Sequence, residues 1–248
     1  MLLAVDIGNT TITFALMKSL KVVKIYKVDT TQKVSALKES CQKTLARLQK
    51  YAPEETVICS VVPRALKVVE AAVQKELERK PKIVGRNLKV PMKNRYAKPR
   101  QVGQDRLVGA YAAMELYGKP TIVVDLGTAI TFDIVSKKKE YIGGIIVPGI
   151  RLSAEALSQK TALLPKIDIH NPPALIGKDT ENSILSGLFY GYGEMIGGII
   201  SLLFKKIPGH PTVIVTGGHT KLMKKYIVRR IDAIDPDLVL KGMALLAL

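Results

Sequence analysis

The chain has 248 residues, 47% of them hydrophobic, and a formal net charge of +17. A chain of that length can bury a sizeable core in one or two domains. Basic charge attracts nucleic acid, anionic membranes and phosphorylated ligands, but the lysines are scattered, aromatics are only 5% and there is no tryptophan, so a stacking platform for single-stranded nucleic acid is poorly supported.

The apolar start lacks a basic leader and stops at Asp6, so no signal peptide is expected. Cys41 and Cys59 have neither framework nor metal spacing, which points to a reducing cytoplasm. His170, His210 and His219 form no close pair, and no dedicated zinc site is expected.

Leu2 to Val5 is an apolar run that predicts a buried strand, and it ends in Asp6-Ile7-Gly8-Asn9-Thr10. A second strand carries Ile12-Thr13-Phe14, and a Lys-rich turn over 18–21 leads to a third. Val34, Leu37, Cys41, Leu45 and Leu48 recur at helical spacing and predict a helix over 33–51, ended by Pro53. A buried strand over 56–62, a helix opened by Pro63 over 65–79 and a short strand at 82–84 follow. The first half therefore reads βββαβαβ. A basic, irregular stretch over 89–100 leads into Gly103-Gln104-Asp105-Arg106 and a helix over 107–116, stopped by Gly118 and Pro120. Asp105 and Arg106 fall in its first turn. The helix dipole alone accounts for an acid there. The functional reading is a general base beside a cationic clamp, at a helix start that favours anions.

The second half opens with a strand from Thr121 that ends in Val124-Asp125-Leu126-Gly127-Thr128-Ala129, followed by Ile130-Thr131-Phe132, a Lys-rich turn over 137–139 and a third strand over 141–147 containing Gly143-Gly144. A short helix is expected over 151–159 and a Pro- and Asn-containing loop over 160–178, closed by Gly177-Lys178-Asp179-Thr180. Asp179 or Thr180 caps the next helix, or Thr180 faces a ligand. The stretch 184–204 is long enough to span a bilayer; its five glycines and Glu194 favour a buried helix at a core or subunit interface instead. Gly191, Gly193 and Gly197 mimic a dinucleotide fingerprint, but with the last glycine one place late and inside a helix. A strand over 212–216 ends in Gly217-Gly218-His219, and a helix over 221–228 follows. A last strand is expected over 237–240 after Pro236, and Gly242 precedes a terminal helix over 243–248.

The unit strand, Asp-x-Gly turn, strand, turn, strand thus occurs twice, with its second Asp-x-Gly turn one residue shorter. A carboxylate at the tip of a buried strand is costly without a partner, and a cation is such a partner. The glycine permits a sharp bend or a close approach, and the Asn and Thr that follow supply donors for phosphate oxygens. An ordinary hairpin would need only the Gly-Asn turn; two copies, each ending a buried strand, favour a phosphate and cation site. Two similar halves sharing one cleft are expected. No Walker loop occurs, so a nucleotide site has to use these turns.

Paired Asp-x-Gly turns with a later Gly-Gly after a strand resemble the acetate kinase, hexokinase, actin and Hsp70 superfamily. Within it the chain closely resembles type III pantothenate kinase, the bacterial enzyme of coenzyme A synthesis. The likeness covers nearly the whole chain. Its motifs are Asp6 to Thr10, Gly103 to Arg106, Asp125 to Thr131, Gly143 to Gly149, Thr161 to Pro165, Gly177 to Thr180 and Thr216 to Gly218. The resemblance implies an α/β fold of two ribonuclease H-like (actin-like ATPase) halves, 1–118 and 119–248, each a mixed sheet with flanking helices, and a cleft between them.

It implies that Asp6, Ile7, Gly8, Asn9, Thr10, Thr11 and Thr13 hold the ATP phosphates, with Asp6 also serving Mg2+. Gly127, Thr128, Gly217 and Gly218 would contact ATP, and Asp125 would bind a monovalent cation, K+ or NH4+. Asp105 would be the base toward the pantothenate hydroxyl, and Tyr96, Gly103, Gln104, Asp105, Arg106 and Thr180 would line the pantothenate pocket of a homodimer. Neither nucleic acid nor membrane is an expected partner. Three positions depart from the family pattern: Gln104 where a small residue is usual, Lys98 before Pro99 where Asn or Asp is usual, and Thr13 where a basic residue is frequent. The alternatives are a Baf-type transcriptional accessory protein and a related kinase with another acceptor.

Overall fold

The computed structural model describes residues 1–227 and 231–248. Its elements run β1 (Leu2–Ile7), β2 (Thr11–Lys18), β3 (Lys21–Asp29), α1 (Val34–Gln49), β4 (Glu55–Ser60), α2 (Pro63–Leu77), β5 (Lys82–Ile83), β6 (Lys93–Asn94), α3 (Gln104–Tyr117), β7 (Thr121–Leu126), β8 (Ala129–Val135) and β9 (Glu140–Pro148). They continue with α4 (Ile150–Lys160), α5 (Thr180–Ser186), α6 (Tyr192–Lys206), β10 (Thr212–Thr216), α7 (Thr220–Met223), β11 (Ala233–Ile234) and α8 (Leu238–Ala247). Two compact units form: Met1–Leu116 with Asp237–Leu248, and Tyr117–Pro236.

The sheet of the first unit has the order β3-β2-β1-β4-β5. β1 pairs antiparallel with β2, and β2 with β3, while β1 and β4, then β4 and β5, pair in parallel. β1 is a continuous apolar run because both its faces are covered. Leu3, Val5 and Ile7 join Leu37, Cys41, Leu45 and Leu48 of α1 and Val69 and Val73 of α2. Ala4, with Val57 and Cys59 of β4, joins Val108 of α3 and Leu240, Met243 and Ala244 of α8.

The second unit repeats the scheme as β9-β8-β7-β10-β11, with β7–β8 and β8–β9 antiparallel and β7–β10 and β10–β11 parallel. The duplication legible as three strands therefore extends to five. The two registers put Asp6 opposite Thr13 and Asp125 opposite Thr131. The core of this unit gathers Val124, Phe132 and Val215 of the sheet with Leu185, Phe189, Ile196 and Ile200 of the helical layer.

Several expectations are corrected. The segment expected as a strand over 237–240 is the first turn of α8, and the strand lies earlier, at Ala233–Ile234. Gly242, read as a break, is inside that helix because α8 crosses α3 closely: a Cβ there would lie 2.6 Å from both Cγ1 and the carbonyl oxygen of Val108. This packing also places 237–248 in the first unit, where the sequence reading put them in the second half. The stretch 184–204 is helical but not buried all round. Leu185, Leu188, Phe189, Ile196 and Ile200 face the core, while Gly187, Gly191, Glu194, Gly198 and Leu202 are exposed. Among the described residues, Thr180–Lys206 is the one helix long and apolar enough to cross a membrane, and only 33% of its most apolar window is buried. The helix expected over 221–228 is the short α7, and the end expected at Val228 lies outside the described residues.

Candidate active site

In the first unit, the Asp-x-Gly turn joins β1 to β2 at the C-terminal ends of the parallel strands. The Gly8 N–H donates to the Thr11 carbonyl at 3.0 Å and closes the bend. Two neighbours brace it. The Thr30 hydroxyl donates to the Gly8 carbonyl at 2.9 Å, and the Val61 N–H to the Ile7 carbonyl at 3.1 Å. Asn9 and Thr10 are left exposed at the tip, and Ile7 is buried as a core residue. Thr13, half-buried, stands opposite Asp6 on one side and Lys27 of β3 on the other. Lys27 was not singled out in the sequence; only the strand register brings its charge into this row.

Asp105 sits in the first turn of α3, and its Oδ1 accepts the Arg106 N–H at 2.8 Å. The carboxylate folds back over Gly103, where a Cβ would lie 2.5 Å from Oδ1 and would push the carboxylate aside. Cys59 lies opposite Asp6 across β1 and β4. Burial, then the Asp6 and Asp105 carboxylates, push the Cys59 thiol well above its ordinary range. Two carboxylates assigned separate roles from the sequence thus act electrostatically on one buried thiol. Gln104 lies over Gly85, which has φ +82° and no Cβ to collide with the amide. Tyr96 is half-buried in a loop held by Asn94, whose Oδ1 accepts the Tyr96 N–H at 2.9 Å. Asn94 is a further residue the sequence did not flag.

The second unit builds a matching turn. The Gly127 N–H donates to the Ala129 carbonyl at 3.1 Å, one residue tighter than in the first copy. Gly149 N–H to Thr128 carbonyl and His219 N–H to Leu126 carbonyl, both 3.0 Å, brace it. Gly217 has φ +95°, and a Cβ there would meet Asp125 Oδ1 and lie 2.6 Å from the Leu126 nitrogen. Asp125, Gly127 and Gly217 are therefore gathered at one point, with Thr128 exposed beside them. Thr180 opens α5, capped by Asp179, whose carboxylate accepts the Asn182 N–H at 2.8 Å. That backbone hydrogen bond holds the Asp179 carboxyl below its usual range. Thr180 lines a surface pocket of about 610 Å³ with Leu164, Gly177, Lys178, Asp179, Ser183 and Ile184.

Two ribonuclease H-like units, each with an aspartate at the tip of its first strand and a glycine-bent turn, define an actin-like two-lobed α/β fold. The same fold is seen in the ethanolamine utilization protein EutJ of Carboxydothermus hydrogenoformans (TM-score 0.58, 15% identity, 98% of this chain and 89% of that one). It is also seen in the ROK hexokinase of Thermus thermophilus (TM-score 0.50, 11% identity, 99% and 97% covered). Residues 2–202 match the family model of type III pantothenate kinase. The type III pantothenate kinase of Persephonella marina is 43% identical over 248 residues, 98% of this chain and 96% of that one. The chain belongs to the type III pantothenate kinase family and is an enzyme, a kinase.

Proposed function

We propose that this chain transfers the γ-phosphoryl group of ATP to the primary hydroxyl of pantothenate, the first step of coenzyme A biosynthesis, with Asp105 as general base. The observation that carries the assignment is the match to the type III pantothenate kinase family over nearly the whole chain, and Asp6 and Asp105, which both act electrostatically on buried Cys59 in one unit, fit it. The exposed turn tip at Asn9 and Thr10 offers N–H and hydroxyl donors to phosphate oxygens. Lys27 adds positive charge to the row that Thr13 leaves without it. Asp105 takes the hydroxyl proton as the pantothenate oxygen attacks phosphorus and the bond to the ADP oxygen breaks. Gly103, Gln104, Arg106 and Tyr96 of the first unit contact the acceptor, and Thr180 of the second is a further acceptor-binding residue. Thr128, Gly127, Gly217 and Gly218 contact the nucleotide from the second turn.

The donor chemistry fits the two ions the family uses. Asp6 offers a carboxylate, the ligand type that Mg2+ takes together with waters and phosphate oxygens. Asp125 offers a carboxylate walled by two glycines, at a point where a side chain on Gly217 would collide with it; an oxygen-bound K+ or NH4+ suits that space. When bound, these ions neutralise phosphate charge. A homodimer is supported by the exposed face of Gly187, Gly191 and Gly198, where nothing lies within 4 Å of an added Cβ and a second helix can approach. Both cysteines are free and buried, which suits a cytoplasmic setting.

The test is Asp105→Asn. Turnover falls by about 10²–10⁴-fold, the usual worth of a general base, while ATP affinity is retained. Undiminished turnover would remove Asp105 from the role.

A further inference from the structure

We propose that Arg151 binds a phosphate group of the nucleotide and that His219 is a positioning residue that aims it. The proposal rests on the ATP reading of the second turn and deepens it.

Both residues are pinned to that turn through the backbone. The His219 N–H donates to the Leu126 carbonyl, and the Gly149 N–H to the Thr128 carbonyl, each at 3.0 Å. α4 starts in contact with the turn: a Cβ on Gly149 would lie 2.5 Å from the Gly127 carbonyl oxygen. Arg151 is two residues further on.

The side chains then meet. The Arg151 Nε–H donates to His219 Nε2 at 3.3 Å. An imidazole that accepts at Nε2 is neutral and carries its proton on Nδ1. Burial, then the adjacent Arg151 guanidinium, hold His219 below its ordinary range and keep it in that form. Nδ1 is buried beside the Gly127 and Leu126 carbonyls, which favour its protonated state and hold the ring against the turn.

The guanidinium so held is free at its other end. Arg151 is exposed and, among the described residues, forms no ion pair. With Nε engaged, its two terminal nitrogens remain as a fork that matches two oxygens of a phosphate. Space for a ligand is present alongside, since nothing lies within 4 Å of a Cβ built on Gly218. A surface arginine that merely solvates itself needs neither the histidine acceptor nor the bracing of both backbones.

The test uses the full chain and four variants, Arg151→Ala, Arg151→Lys, His219→Phe and His219→Gln. Steady-state KM values are taken for MgATP and pantothenate, with equilibrium affinities for ATP and adenosine. Arg151→Ala is expected to raise the ATP KM and Kd by about 10-fold or more, the scale of a charged hydrogen bond. The pantothenate KM and adenosine affinity stay put, and Arg151→Lys recovers part of the loss. His219→Phe, which keeps the ring volume and removes the acceptor, is expected to raise the ATP KM by a smaller factor, and His219→Gln, which restores an acceptor oxygen, to reverse that rise. Unchanged ATP affinity in Arg151→Ala, an equal loss of adenosine binding, or a rise in the pantothenate KM alone would overturn the assignment of Arg151. Equal behaviour of the two His219 variants would overturn the positioning role. Failure of the unaltered chain to bind ATP would instead remove the nucleotide reading beneath it.

Discussion

Single residues carry the chemistry, and the chain's departures from its family are local. Asp125 is the proposed cation ligand, and Gly127 and Gly217 lie against its carboxylate without side chains of their own. Asp125→Ala should therefore abolish the response of turnover to potassium. A mutant still stimulated by K+ over Na+ would defeat that assignment. Gly217→Ala should lower ATP affinity and stability together, because its φ of +95° and its contact with Leu126 N both exclude a Cβ. Asp6 and Asp125 stood out in the sequence because a carboxylate at the tip of a buried strand is unusual, whereas Asp105, an ordinary acid for a helix start, stood out only through the family resemblance. Lys27, Asn94 and Arg151 did not stand out. A lysine, an asparagine and an arginine in a basic chain carry no signal until register or a hydrogen bond places them beside something. Gln104 was visible as a departure, but only Gly85 explains how it is accommodated.

At the level of elements, the contact of α3 with α8 makes a sharp forecast. Gly242 faces the backbone of Val108, which cannot step aside, whereas a Cβ on Gly109 would meet Val239 Cγ2 at an ordinary 3.6 Å. Gly242→Ala should cost about 1–3 kcal/mol, as overpacking does. Gly109→Ala should be neutral or stabilise by up to about 1 kcal/mol through helix propensity. Urea midpoints decide; equal effects at the two glycines would contradict the packing. The same contact explains why α8 was misread. Leu238-Val239-Leu240 is a short apolar run, and such runs fit a buried strand or a buried helix equally well. Gly242 then reads as a stop unless the neighbour it approaches is known. β11 is two residues long, too short to leave a periodicity. The long elements β1, α1 and α2 were placed within a few residues because hydrophobic spacing, Pro53 and Pro63 punctuate them.

For the whole molecule, two buried thiols set a pH limit on stability. Burial raises Cys41 from 9.0 to about 11, and Cys59 is also raised, by burial first. A raised thiol pKa favours the folded state while the thiol stays neutral. That stability is complete below the unfolded value and is lost as pH climbs from 9.0 toward 11. The slope approaches about 1.4 kcal/mol per pH unit for each thiol. Denaturant midpoints should decline above pH 9, and less steeply in Cys41→Ala; a flat profile would contradict the burial. Light scattering should find a dimer, and Gly198→Glu should weaken it; a wild-type monomer at micromolar concentration would remove the partner assigned to the exposed glycine face. The duplication was the most legible feature of all, since Asp-x-Gly and Ile-Thr-Phe recur in order. Its full five-strand extent was hidden because β4 and β10 share only Thr-Val-Ile, a run common to buried strands, and lie at different distances from their Asp-x-Gly turns.

The most direct test of the central claim is ADP release from MgATP in potassium buffer, with and without pantothenate, with the product weighed. The account predicts ADP only when pantothenate is present, and a product heavier than pantothenate by one phosphoryl group. ADP release indifferent to pantothenate, or none at all with potassium supplied, would contradict it.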